Sequence, residues 1–77
     1  MFTFITLAEN SFQDKNGKEV KYNKLNVSDE SGNVLELAVH KDLDREKAKS
    51  FKMGTDVVLA YAPDTKGQIR VTDINKA

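Results

Sequence analysis

With 77 residues the chain has room for one domain and one core, and a domain of this size buries only about 60–65% of its unfolded surface. It has no cysteine, which excludes disulfide staples and thiolate metal sites. Its 12 basic and 12 acidic residues cancel, so the uniformly basic chain of many nucleic-acid binders is excluded and any attraction for phosphate must be local.

The first segment, Phe2 to Phe12, is rich in Thr, Phe and Ile and reads as a strand. Alternation puts Ile5 and Leu7 on one face and Phe2, Phe4 and Thr6 on the other. Gln13 to Gly17 is a turn, with Asn16-Gly17 as its hairpin signal because both residues tolerate positive φ. Val20 to Ser28 is a second strand. Leu25 and Val27 mark its core face, so Tyr22, Lys24 and Asn26 point outward. Asp29 to Asn33 is a second turn, and Val34 to His40 a third strand with Leu35, Leu37 and Val39 inward and Val34, Glu36, Ala38 and His40 outward.

Asp42 to Phe51 changes period. Asp42 or Asp44 can cap a helix, Arg45 to Lys49 are good helix formers, and Leu43 and Phe51 would dock the helix on the sheet. Gly54 terminates this region. Asp56 to Ala62 is a fourth strand, apolar on both faces and therefore expected to be covered on both, and Pro63 ends it. Asp64 to Gly67 turns the chain into a fifth strand, Gln68 to Ile74, with Ile69 and Val71 inward and Arg70 and Thr72 outward.

The order β-β-β-α-β-β predicts an all-β domain with one short helix. It matches a five-stranded Greek-key barrel of the OB-fold type over residues 1–77, in which the helix plugs one end between the third and fourth strands. An SH3-like barrel is the alternative architecture. Met1 to Leu7 carry no basic stretch of a secretory signal, and no apolar run approaches the ~20 residues of a membrane helix, so a cytoplasmic protein without membrane contact is expected.

In the run from Ser11 to Val20 an aromatic strand end enters an Asp14-Lys15-Asn16-Gly17-Lys18 turn. A strand bearing Tyr22 and Lys24 follows, and Gly54-Thr55-Asp56-Val57 opens the fourth strand. In these features and in strand order along nearly the whole chain, the sequence resembles the small OB-fold, single-stranded-DNA-binding-like proteins of Gram-positive phages and conjugative plasmids. The resemblance implies a mobile-element protein that holds single-stranded DNA.

An OB barrel binds ligand across its second and third strands, between the loops joining strands one and two and strands four and five. Single strands are held there by aromatic stacking and by basic groups along the phosphates. Tyr22 is the leading stacking candidate, against a role as a rim cover for the core. Lys15, Lys18 and Lys24 form a candidate phosphate patch around it, against a plain solvated hairpin; Lys21 falls on the other face. Asn26 shares the outward face. Phe4 belongs either to that surface or to the core, whereas Phe2 and Phe12 are assigned to the core. Arg70 can reach a phosphate or pair with Glu36 or Asp56, and Lys66 lies in the loop between strands four and five.

His40, the one histidine, has no second histidine or cysteine for a zinc set, and no triad can be assembled with it around a serine or cysteine. No glycine-rich phosphate loop occurs. A binding protein rather than an enzyme is expected, with no cofactor and no metal. Single-stranded nucleic acid, DNA ahead of RNA, is the expected partner. The competing expectation is a protein-interaction or homodimerisation module using the outward Val58 and Ala60 of the fourth strand.

Overall fold

The structure, a computed structural model, describes all residues 1–77. Its elements are β1 (Phe2–Gln13), β2 (Glu19–Ser28), β3 (Val34–Ala38), α1 (Arg45–Lys49), β4 (Asp56–Pro63) and β5 (Ile69–Lys76). The all-β architecture with one helix between the third and fourth strands is the one that periodicity predicts. All strand ladders are antiparallel, in the order β3-β2-β1-β4-β5. The two edges of this sheet approach each other. Val39, just past β3, forms a parallel bridge with Val71 of β5, and the His40 N–H donates to the Val71 carbonyl at 2.8 Å. The edges meet at that one bridge rather than along a continuous ladder. No helix is long and apolar enough to cross a membrane.

Three hairpin turns share one chemistry. Asp14, Asp29 and Asp64 are each followed, three residues on, by a glycine. In each turn the aspartate Oδ1 accepts the backbone N–H groups two and four residues ahead, at 2.8–3.0 Å. The aspartate N–H donates to the carbonyl four residues on, and the glycine N–H returns to the aspartate carbonyl. Only the glycine takes positive φ, 75° at Gly17, while Asn16 does not. The first hairpin therefore closes through a three-residue loop with a left-handed glycine, not through a two-residue Asn-Gly turn.

Two bulges explain where simple alternation fails. Phe4 pairs with Val27 and Thr6 with Asn26, which leaves Ile5 as an extra residue in β1. Phe4 and Leu7 both turn inward as a result, and the expected grouping of Ile5 with Leu7 does not hold. In β5, Asp73 pairs with Ala60 and Val71 with Tyr61, so Thr72 is the extra residue and both Val71 and Ile74 reach the core. Ile69, expected inside, lies beyond the core at 64% exposure.

The core consists of Phe4, Leu7, Leu25, Val27, Val39, Leu43, Ala48, Val57, Val71 and Ile74. Leu35, Leu37, Leu59, Phe2 and Phe51 pack at its margin. The helix is shorter than its expected span of 42–51. Asp44 caps it by accepting the Lys47 N–H at 3.1 Å, and Ser50 ends it by donating its hydroxyl to the Lys47 carbonyl at 2.6 Å. Leu43 and Phe51 nevertheless anchor the segment as expected, with the Phe51 ring 5.9 Å from that of Phe4. The outer face of β4 is not covered: Val58 is 53% exposed.

Charged contacts fasten the elements at the surface. Lys47 donates to Asp73 at 3.0 Å and to Asn75 at 2.6 Å, tying α1 to β5. The Lys47 hydrogen bond holds the Asp73 carboxyl below its ordinary value of 3.8, helped by Asn75. The backbone N–H of Asn33 does the same for Asp29, helped by the Asn33 side chain, and the Arg70 guanidinium does so for Asp64. A carboxyl depressed on folding stabilises the fold above its unfolded pKa and loses that contribution as pH falls through the folded value. Urea midpoints should therefore hold steady down to the ordinary carboxylate range and fall below about pH 4. An Asp29→Asn, Asp64→Asn, Asp73→Asn variant should start lower and show a shallower acid fall.

Candidate nucleic-acid interface

β1 and β2 are 12 and 10 residues long, whereas β3 has only five. Their hairpin runs past the core and contributes to an elongated molecule of 41 × 24 × 23 Å. Beyond Lys24, which pairs with Ala38, the free edge of β2 has no β3 partner. Side chains from both faces of residues 19–23 therefore border that open edge.

The register places Phe12 opposite Val20 and Asn10 opposite Tyr22, so Phe12 and Tyr22 are diagonal neighbours on one face. Their ring centroids lie 5.9 Å apart with the planes tilted by 58°. Both rings are open to solvent, Phe12 at 54% and Tyr22 at 39%. Exposure of two aromatic rings side by side leaves π surface available to a planar ligand.

These rings stand at an open cleft of about 740 Å³. The hairpin forms one wall, Val39 to Lys41 another, Asp64 and Thr65 of the β4–β5 turn a third, and Arg45 of α1 one end. Five cations line it, namely Lys21, Lys24, Lys41, Arg45 and Arg70, against the single carboxylate of Asp64. The cleft thus carries four net positive charges in a chain whose total is zero, and the remaining surface is acidic by the same amount. Arg70 is paired with Asp64 at 2.6 Å, and the Arg45 Nε–H donates to Asn23 Oδ1 at 2.5 Å. Lys21, Lys24 and Lys41 form no ion pair. A smaller hollow of about 320 Å³ continues past Lys21, Asn23 and Arg45 to Lys49 and Glu9.

Of the residues expected to bind, Tyr22, Lys24 and Arg70 come together in the cleft. Arg70 pairs with Asp64 rather than with Glu36 or Asp56. Lys15 and Lys18 sit in the exposed first turn, and Lys66 in the third, outside the cleft lining. Asn26 is half-buried in the ladder between Thr6 and Glu36. Phe4 is not on the outer surface at all: the bulge at Ile5 drives it into the core at 3% exposure.

Phe12, expected in the core, is instead half of the exposed aromatic pair. Its position follows by counting back from the Asp14 turn, which sets Gln13 opposite Glu19 and Phe12 opposite Val20. Lys21, expected on the face opposite Tyr22, lines the cleft as well because β2 has no β3 partner there, whereas Lys41 and Arg45 reach the opening only through the tertiary fold, which brings segments far apart in sequence together.

His40, expected on the outside, is 7% exposed on the cleft wall. The strand ends at Ala38, and the bridge to Val71 turns the following residues inward. The Asp42 N–H donates to His40 Nδ1 at 3.1 Å. Asp42 Oδ2 is also 3.5 Å from that atom, but a nitrogen that accepts the backbone N–H carries no proton to give it, so the shorter contact sets the tautomer.

No protein-family model, curated protein or solved structure matches the chain. What this site does must be read from its own geometry.

Proposed function

We propose that the chain is an OB-type domain that binds single-stranded DNA along this cleft, in the manner of the phage and plasmid proteins it resembles. The observation that carries the reading is the Phe12–Tyr22 pair beside a cleft with four surplus positive charges in an otherwise acidic chain. Bases stack on the rings, each contributing about 1–3 kcal/mol, while Lys21, Lys24 and Lys41 meet the phosphates. A duplex hides its base faces, so rings of this kind favour an unpaired strand. Segregation of charge answers the objection raised by zero net charge, because attraction for phosphate depends on the local field.

Fluorescence anisotropy of a labelled oligo-dT at low salt tests this. Binding is expected in the micromolar range. Three to five phosphate contacts give a slope of log affinity against log salt of about −2 to −3.5. Absence of binding at high micromolar protein overturns the reading.

A second reading, self-association, draws on the 53% exposure of Val58 beside the exposed Ala60 on β4. Light scattering after size exclusion separates the two, since a monomer that binds oligo-dT needs no such interface.

A further inference from the structure

His40 is the one cleft residue whose side chain is both largely buried in the wall and incompletely bonded. Its side chain is 9% exposed, and its only hydrogen bond is the one Nδ1 accepts from the Asp42 N–H. With Nδ1 fixed as acceptor, the neutral ring carries its proton on Nε2. That N–H has no partner within the protein, yet no buried side-chain polar atom in the molecule is orphaned. Nε2 is therefore not sealed off, and the opening that His40 lines is the cleft.

The surrounding chemistry is weighted toward donors. The fixed side-chain acceptors of the cleft are already engaged: Asn23 Oδ1 takes Arg45, Asp64 Oδ1 takes the N–H groups of Lys66 and Gln68, and Asp64 Oδ2 takes Arg70. The same cleft is lined by the ammonium donors of Lys24 and Lys41 and by the hydroxyls of Tyr22 and Thr65, which can turn to donate or to accept. A base presenting a carbonyl satisfies such a wall. Cytosine shares the C2 carbonyl of thymine and uracil, so discrimination lies at C4, where those two present a carbonyl and cytosine an amine, as adenine does at C6; an amine there sets donor against donor and forfeits the hydrogen bond.

We propose that His40 makes the cleft selective for thymine and uracil over cytosine and adenine by donating its Nε2–H to the C4 carbonyl of the base. This rests on the single-strand reading above. His40 is a specificity determinant, and the aromatic pair and lysines supply the affinity that all bases share.

The test compares anisotropy titrations of labelled oligo-dT, oligo-dU, oligo-dC and oligo-dA of about 12 nucleotides, within the span one OB domain covers. Oligo-dT and oligo-dU should bind about tenfold more tightly than oligo-dC and oligo-dA, the effect of one hydrogen bond gained and one mismatch avoided. Including oligo-dU removes the thymine methyl as the cause.

His40→Asn keeps an oxygen to accept the Asp42 N–H but has no atom at the Nε2 position, and the preference should shrink to about twofold or less. In the wild-type protein the His40 Nε2 nitrogen resonance should shift on adding oligo-dT and stay in place on adding oligo-dC. That measurement decides the matter if the variant does not fold. Equal binding of oligo-dT and oligo-dC, an unchanged preference in His40→Asn, or an unmoved Nε2 resonance overturns the role of His40 while leaving single-strand binding intact. Failure to bind any of the four oligonucleotides overturns both.

Discussion

Replacing Phe12 and Tyr22 together with alanine should lower affinity for oligo-dT by roughly 10- to 100-fold, the loss expected when one base or more no longer stacks. Each single replacement should cost less than the pair, and Lys52→Ala, at an exposed position outside the cleft, should change affinity by less than about twofold. The double variant should remain folded. Both rings are exposed, and a cross-strand aromatic contact contributes only about 0.5–1 kcal/mol to stability. Loss of binding with retained structure is thus the signature of a contact surface. Affinity equal to that of Lys52→Ala would place the ligand elsewhere on the molecule.

Phe4→Ala should do the opposite, costing about 3–5 kcal/mol of folding stability. A 77-residue domain has a total stability on the order of 4–12 kcal/mol, so this one change removes a large share of it. The mechanism is specific. Phe4 is 3% exposed, packs against Phe51 at 5.9 Å, and sits where the first strand both donates to Thr55 and accepts from Gly54 through its backbone. Truncation leaves a cavity between the sheet and the segment that follows the helix. Urea unfolding should show a much lower midpoint than for Phe12→Ala, although the two residues are of one type on one strand. Under conditions where Phe4→Ala is still folded, its affinity for oligo-dT should match that of the unaltered protein.

The contrast between those two phenylalanines shows how far local pattern reaches. β2 could be read directly: Leu25 and Val27 alternate without interruption, and both are fully buried while Tyr22 and Lys24 face the cleft. β1 could not, because alternation assumes an unbroken ladder and the extra residue at Ile5 reverses the faces on either side of it. A bulge leaves little mark in a stretch where every residue is a good strand former. Phe12 was misassigned for a different reason: it is apolar, but its strand has already outrun the core.

The basic side chains divide in the same way. Lys24 is legible from strand parity, whereas Lys41 and Arg45 reach the cleft only through the closing contact of Val39 with Val71 and the bond from Arg45 to Asn23. The helix itself was visible in composition, but its ends depend on which of Asp42 and Asp44 caps it, and that is decided by the turn that seats Leu43 in the core.

The recurring aspartate–glycine turn has a consequence for how such a cleft can be retuned. Two of the three copies close the hairpins that bound the cleft, and each fixes strand register through the aspartate side chain, the glycine conformation and backbone groups alone. The positions between them, Lys15-Asn16 in one and Thr65-Lys66 in the other, lend no side chain to that clasp. Any side chain serves there mechanically so long as the second position keeps the backbone N–H that the aspartate accepts. Charge at both rims can be added, removed or reversed there without moving a strand, so grip on a polyanion can be graded independently of the scaffold that shapes the opening.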